Sequence, residues 1–195
     1  GLKICTDNQD FMLNTKFGKC IMFESKKLRV FKGRSSKGIR GINLAEKDTI
    51  VSLSIIDNDD IKKSKSKTKD EKSEFKAKEK FILSITENGY GKRTSSDEYP
   101  VYGRGGQGVI GMQASKRNGK VVGAVQVSES DEIMLISDKG TLVRTRVDEV
   151  SVQGRNTQGV RLIRLRDGET LVGLEQVDEP DVEEDLSEAS EETDE

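Results

Sequence analysis

Residues 154–160 read Gly-Arg-Asn-Thr-Gln-Gly-Val, and this pattern occurs at two earlier places in the chain. Residues 103–109 read Gly-Arg-Gly-Gly-Gln-Gly-Val, and residues 33–39 read Gly-Arg-Ser-Ser-Lys-Gly-Ile. The second and third copies begin 51 residues apart and the first and second 70, with the excess of 19 at residues 61–80. Recurrence of a unit of about fifty residues indicates a repeat architecture, in which small units pack on their neighbours. The chain is therefore expected to be an array of three similar units.

Short runs of Val, Ile, Leu, Phe and Thr surround each copy of the motif, separated by Gly, Asn, Asp and Lys. Asn88-Gly89 predicts a tight hairpin turn, because such turns need positive φ angles. Residues 141–147 alternate in character, which predicts a half-exposed antiparallel strand with Leu142, Arg144 and Arg146 on its outer face. About four such strands per unit match a propeller blade in size, so the sequence predicts an all-β fold.

Alignment of the units divides the chain into about three blades. Their predicted bounds are residues 10–56, 81–127 and 131–177. Residues 1–9 resemble the closing segment of a preceding, truncated blade, so the sequence is expected to begin within a longer array.

Charge is distributed unevenly, although the formal net charge is only −2. Residues 178–195 hold eleven acidic residues and no basic one, which leaves 33 basic and 24 acidic residues, or +9, before them. A basic body favours a polyanion as partner, and the acidic tail, expected to be disordered, either competes with that partner or serves solubility. Nine lysines among residues 61–80 predict an exposed, mobile loop at 57–80.

The sequence contains no histidine, which excludes Ser-His-Asp and Cys-His catalysis and every metal site that uses histidine. Cys5 and Cys20 do not form a CxxC pair, and no apolar run approaches the length of a membrane span. Gly103, Gly105 and Gly108 match the dinucleotide fingerprint in spacing only, because no helix start follows them. We therefore expect no catalytic residue, metal or cofactor in this chain.

The motif presents one arginine per unit, and these side chains are the first candidate contacts for a polyanion. They are Arg34, Arg104 and Arg155, with Lys37 in the first motif as well. Equivalent positions in successive blades would place them at successive points around the array, where charge alone suffices to contact phosphates. The alternative is that they pair with acidic side chains of neighbouring blades.

A second basic set follows the predicted hairpin turns. It comprises Lys92 and Arg93 in the second unit and Arg144 and Arg146 in the third, whereas the first unit has Met22 at the position of Arg93 and Arg144. The alternative is an ordinary solvated strand face, which often carries Lys and Arg.

Several stretches resemble the C-terminal domain of the bacterial DNA gyrase A subunit. They are residues 88–94, 118–127, 140–147 and, most specifically, 154–160, and the resemblance covers nearly all of residues 1–177 and extends to the acidic tail. It implies a β-pinwheel, a propeller-like disc of six four-stranded blades that bends double-stranded DNA around its basic rim. This chain would supply the last three blades and the end of a fourth.

The resemblance also implies a larger enzyme. In this family two A subunits and two gyrase B subunits form an A2B2 assembly in the bacterial cytoplasm, where it acts on the chromosome. The assembly introduces negative supercoils with ATP and Mg²⁺, and its catalytic tyrosine and ATP site lie outside this chain. The family's Gln-Arg-x-Gly-Gly-x-Gly box belongs to the absent first blade, and residues 103–108 match it only in part.

Two alternatives remain open at this point. One is the corresponding domain of topoisomerase IV, which usually has fewer or more degenerate blades. The other is a propeller-like scaffold whose basic rim docks acidic proteins.

Overall fold

The computed structural model describes residues 2–57 and 80–177. These residues form eleven strands in three antiparallel sheets, together with short 3-10 turns and no α-helix. The predicted all-β array of blades is confirmed. Among the described residues no helix is long and apolar enough to cross a membrane. The predicted loop at 57–80 and the predicted tail at 178–195 lie almost wholly outside the described residues.

The strands follow the three units in order. The first unit contains β1 (Gln9–Thr15), β2 (Lys19–Glu24) and β3 (Ile50–Asp57). The second contains β4 (Lys80–Thr86), β5 (Tyr90–Ser95), β6 (Val109–Ile110) and β7 (Val121–Ser128). The third contains β8 (Glu132–Ser137), β9 (Leu142–Arg146), β10 (Val160–Arg161) and β11 (Leu171–Val177).

The fourth strand of a blade comes from the following unit. β6 pairs with β2 of the first unit, and β10 pairs with β5 of the second, so the sheets have the orders β3-β1-β2-β6 and β10-β5-β4-β7. The predicted bounds 81–127 and 131–177 therefore describe sequence repeats and not sheets, because the motifs of the second and third units each lead a short strand across to the preceding blade. The third sheet has the order β11-β8-β9, which leaves β9 at an edge within the described residues.

Hairpin turns join the first two strands of each unit. In the second unit the predicted turn at Asn88-Gly89 is confirmed, with Gly89 at φ +78° between β4 and β5. After the second strand of each hairpin comes a 3-10 turn, at residues 25–27, 96–98 and 147–149. The alternation predicted for residues 141–147 is also confirmed, since Leu142, Arg144 and Arg146 are the exposed residues of β9.

Two of the three apolar clusters among the described residues lie between blades. One apolar cluster joins the second and third blades and includes Leu83, Ile85, Ile133 and Leu135. Another joins the first and second blades and includes Met12, Cys20, Ile82 and Tyr99. Both faces of the second blade are therefore covered by protein, which has direct consequences for the charged residues of β5.

The edge strands opposite β6 and β10, together with β11 of the third sheet, lie side by side. Residues of β3, β7 and β11 line a shared cleft of about 700 Å³, with Lys3 at its wall. The exchanged strands β6 and β10, and the glycine-rich motifs that precede them, therefore lie at the opposite, outer edges of their sheets.

Candidate nucleic-acid interface

The glycine-rich motif crosses between blades at a point where only glycine fits. Gly108 has φ +66°, and a Cβ added there would lie 2.1 Å from the carbonyl oxygen of Cys20. Gly159, at the same motif position in the third unit, has φ +77°, and its Cβ would lie 2.6 Å from the carbonyl oxygen of Gly91. In the second and third units the last glycine of the motif is thus required both by its backbone conformation and by contact with the acceptor strand.

The motif arginines make equivalent contacts at both crossings. Arg104 donates from Nη1 to the carbonyl oxygen of Arg40 at 3.4 Å, and Arg155 donates from Nη1 to that of Ile110 at 2.9 Å. Arg40 and Ile110 follow the motifs of the first and second units by one residue, so each arginine contacts the unit before its own. Because a guanidinium has five N–H donors, most of them remain available to a ligand.

Acidic pairing of the motif arginines is limited in the described residues. At Arg155 the contact with a carboxylate is made by the backbone, whose N–H donates to Glu98 Oε2 at 3.1 Å. Arg104 is exposed and Arg155 partly exposed, and Arg34 and Lys37 are exposed in the first unit. The predicted row of motif cations thus lies at the surface of the molecule.

Lys92 is not a surface residue, which corrects its prediction as a phosphate contact. Its exposed fraction is 0%, because it lies beneath the third unit's motif. Nζ donates to the carbonyl oxygens of Gly154, at 2.7 Å, and Arg155, and to Oγ1 of Thr157 at 3.2 Å. Burial lowers the pKa of Lys92 to about 8, against the opposing effect of Glu98. Lys92 therefore positions the loop that carries Arg155.

Arg93 is also buried, and its predicted contact with DNA is corrected in the same way. Its exposed fraction is 6%. Nε donates to the carbonyl oxygen of Val150 at 2.6 Å, Nη1 pairs with Glu129 at 3.0 Å, and the guanidinium lies 4.9 Å from the centre of the Phe81 ring. The third blade covers this face of β5, so Arg93 joins two blades.

Arg144 occupies the position in the third unit that Arg93 occupies in the second. No further blade covers it among the described residues, and it remains exposed, paired with Glu132. Arg146 is exposed too and pairs with Asp148 at 2.7 Å. Exposed ion pairs contribute only about 0–1 kcal/mol, so these pairings leave both arginines able to contact a stronger anion.

Sequence reasoning missed a second group of cations beside the hairpin turn of the second blade. Arg117 and Arg161 lie over the ring of Tyr90, and Arg164 lines the same cavity. The basic turn at residues 116–120 and the arginines after the third motif were the available signals. These arginines come from different units. They converge because β10 of the third unit pairs with β5 of the second, a pairing that we call strand exchange.

The strongly shifted thiol and phenol belong to the interblade core. Burial raises the pKa of Cys20 to about 12 and raises the pKa of Tyr99 well above its usual range. Both lie in the cluster between the first and second blades. A buried thiol with a raised pKa is a poor nucleophile, so these groups serve packing.

Comparison with known proteins identifies relatives along nearly the whole chain. The DNA gyrase A subunit of Salmonella typhimurium strain LT2 is 46% identical over 95% of this chain, and that of Escherichia coli strain K12 is 44% identical over 95%. In each case the match spans 19% of the relative, so the chain spans about a fifth of their length.

Solved structures show the same fold. A DNA gyrase A C-terminal domain superposes with a TM-score of 0.71 at 27% identity, over 89% of this chain and 52% of that one. A C-terminal domain of DNA topoisomerase IV gives a TM-score of 0.71 at 22% identity, over 88% and 47%, which shows the fold alone.

The repeats themselves carry the family signature. Residues 9–57, 80–128 and 131–178 each match the family described as "DNA gyrase C-terminal domain, beta-propeller". These three matched ranges coincide with the three units found in the sequence and cover most of the chain. The chain belongs to the DNA gyrase C-terminal domain family.

Proposed function

We propose that the chain is the part of a gyrase A subunit that binds duplex DNA and wraps it around the outer edges of the blades. The observation that carries this proposal is the row of motif arginines at equivalent positions of successive units, Arg34, Arg104 and Arg155. Arg104 and Arg155 make the same contact with the unit before their own. A repeated cation on a repeated scaffold presents evenly arranged charge to the evenly spaced phosphates of a duplex.

The contacts are of a kind that positions DNA without reading its sequence. Guanidinium and ammonium groups bind phosphate oxygens on any duplex, and the release of counterions makes such binding strongly dependent on salt. Exposed Lys37, Arg144 and Arg146 extend the set beyond the motif arginines. Bending DNA costs on the order of 1–6 kcal/mol for a bend of 40–90°, so a wrapped path requires several contacts together.

In this proposal the chain works within a larger enzyme. It would direct DNA toward strand passage in an A2B2 assembly with gyrase B, located in the bacterial cytoplasm on the chromosome. ATP and Mg²⁺ would be used by parts of the assembly outside this chain, and the chain itself supplies binding energy and curvature. The family match and the relatives' shared name, which is that of the DNA gyrase A subunit, support this placement.

Duplex DNA is expected to bind the chain with an affinity that falls as salt is raised. The logarithm of the binding constant should fall linearly with the logarithm of the salt concentration, with a slope near −0.9 per phosphate contacted. Arg104→Ala and Arg155→Ala should each weaken binding to unrelated sequences equally and reduce the magnitude of the slope by about 1. Both quantities are measured by fluorescence anisotropy of labelled duplexes at salt concentrations between about 50 and 200 mM, where affinity from phosphate contacts changes strongly.

Lys3→Ala is the matched control, because Lys3 lies at the wall of the cleft formed by β3, β7 and β11. It removes one positive charge without touching the outer edge, and the slope should be nearly unchanged. A protein-docking scaffold would show little duplex affinity at about 50 mM salt, where phosphate contacts are strong, and this result would contradict the proposed function.

A further inference from the structure

Two guanidinium groups converge on one aromatic ring at the start of β5. Cζ of Arg117 lies 4.9 Å from the centre of the Tyr90 ring, and Cζ of Arg161 lies 5.3 Å from it. Arg161 also donates from Nη2 to the Tyr90 hydroxyl at 2.8 Å. Tyr90 itself is buried, with an exposed fraction of 8%, so the ring is a fixed platform for two exposed cations.

The arginines are held in place by the backbone of the exchanged segment. Arg117 donates from Nη2 to the carbonyl oxygen of Gly159 at 3.1 Å. The turn that carries Arg117 is fixed by buried Asn118, whose Nδ2 donates to the carbonyl oxygens of Gln113, at 2.8 Å, and Gln158, at 3.0 Å. Arg161 lies on β10, which pairs with β5. Exchange of β10 therefore builds this cluster from two units.

The two cations border a cavity of about 340 Å³ that carries excess positive charge. Arg164 lines it as well, and Glu169 is the one carboxylate among its lining residues. Glu169 is already engaged, since it accepts hydrogen bonds from Ser137 Oγ and, at 3.0 Å, from the backbone N–H of Arg166. These bonds lower the pKa of Glu169 to about 2. Three positive charges and one negative charge thus leave a surplus of two.

No ion pair involves Arg117, Arg161 or Arg164 within the described parts of the chain. The guanidinium groups near the Tyr90 ring repel each other. An anion between them would relieve that repulsion and accept hydrogen bonds from their remaining N–H groups. Guanidinium groups suit phosphate in particular, because their planar donors match its oxygens in pairs.

We propose that this cavity is a phosphate-binding site, distinct from the row of motif arginines. Resting on the proposed function, we assign its ligand as a phosphate of the DNA backbone. Tyr90 begins β5, whereas Gly154 and Thr157 of the third unit's motif contact Lys92, two residues farther along the strand. The two sites are therefore separated by about 7 Å of strand plus the loop. A duplex crossing the second blade would then be held at two points.

The double variant Arg117→Gln/Arg161→Gln tests the site in the whole chain. Inorganic phosphate is titrated into the unsubstituted protein and the variant while the arginine Nε–H signals are followed by NMR. In parallel, the salt slope for duplex DNA is measured for both. We expect saturable shifts of the Arg117 and Arg161 signals in the unsubstituted protein and a slope reduced by about 2 in the variant.

The control Lys3→Gln/Lys26→Gln removes the same charge from two exposed lysines outside the cavity. An equal reduction of slope in the control overturns the assignment to DNA, because it shows a general charge effect. Phosphate shifts with an unchanged slope show a site for free phosphate and likewise overturn the DNA assignment. If phosphate causes no shift of these signals and the slope is unchanged, the site itself is overturned.

Two further readouts keep these results interpretable. Circular dichroism of the double variant establishes that the fold is retained, and Arg117→Lys/Arg161→Lys, which keeps the charge, should restore most of the slope. If Arg155→Ala still weakens DNA binding while the double variant does not, the assignment of this site to DNA fails and the proposed function stands. If the unsubstituted chain does not bind duplex DNA, the proposed function fails.

Discussion

Replacing Gly108 with alanine is expected to detach β6 from the first blade and to lower the free energy of unfolding by about 3 kcal/mol or more. The new Cβ would lie 2.1 Å from the carbonyl oxygen of Cys20, and φ at this position is +66°. Backbone cannot yield as a flexible side chain does, so the exchanged strand must move. Urea unfolding measures the loss of stability, and hydrogen exchange of the Val109 amide reports the lost pairing with Cys20.

Gly38 provides a matched control for this substitution. It occupies the same motif position in the first unit and has φ +75°, but no atom of the described residues lies within 4 Å of its added Cβ. Gly38→Ala should therefore cost only the backbone penalty of about 1–2 kcal/mol. Equal losses from the two substitutions would contradict the account of strand exchange, because they would show that contact with the acceptor strand contributes nothing.

Replacing Lys92 with methionine is expected to release the third unit's motif loop and to lower the free energy of unfolding by about 1–3 kcal/mol. Methionine fills a similar length but leaves the carbonyl oxygens of Gly154 and Arg155 without the Lys92 donor. Hydrogen exchange over residues 154–158 should accelerate. DNA affinity should fall as well, although Lys92 itself is buried, because the loop carries Arg155.

Ile21 provides the matched control for Lys92. It holds the equivalent position in the first unit, where it packs in an apolar cluster near Gly106 of the second motif. Ile21→Met should cost less than about 1.5 kcal/mol and leave its loop in place, because no hydrogen bond is lost. A similar loosening of both loops would show that shape, and not the ammonium donors, positions the motif.

The burial of Lys92 also predicts how the free energy of unfolding depends on pH. The pKa of Lys92 is lowered from 10.5 to about 8 in the folded chain, chiefly by desolvation. Between these values the unfolded chain binds more protons, so the stability of the unsubstituted protein should rise relative to Lys92→Met as the pH increases from 8 to 10.5. Unfolding in urea at pH values of about 7 and 10, on either side of the folded-state pKa, measures the stability of both proteins. A fall in the stability of the unsubstituted protein relative to Lys92→Met as the pH rises would contradict this prediction.

The repeats, the hairpin turn at Asn88-Gly89 and the alternation in residues 141–147 follow from local sequence and were predictable. Strand exchange was not, because β6 and β10 are only two residues long and their partners lie in another unit. The unit bounds 81–127 and 131–177 follow the sequence repeats, whereas each complete sheet also takes a short strand from the following unit. Nothing local in Val109-Ile110 indicates which of two neighbouring sheets it completes.

The errors at Lys92 and Arg93 have a related physical cause. Alternation along a strand indicates which side chains share a face, and it does not show whether solvent or another blade lies against that face. Arg144 and Arg93 hold equivalent positions, yet Arg144 is exposed and Arg93 is covered by the third blade. The cluster around Tyr90 was hidden similarly, since its arginines meet only after exchange.

Wrapping is the central claim, and a linking-number assay tests it most directly. Nicked circular DNA is sealed by ligase with the chain bound, and the topoisomers are then separated after the protein is removed. We predict a shift in mean linking number that grows with the ratio of protein to DNA and shrinks in Arg104→Ala/Arg155→Ala. An unchanged linking number on DNA saturated with the protein would contradict the claim that these blades wrap DNA.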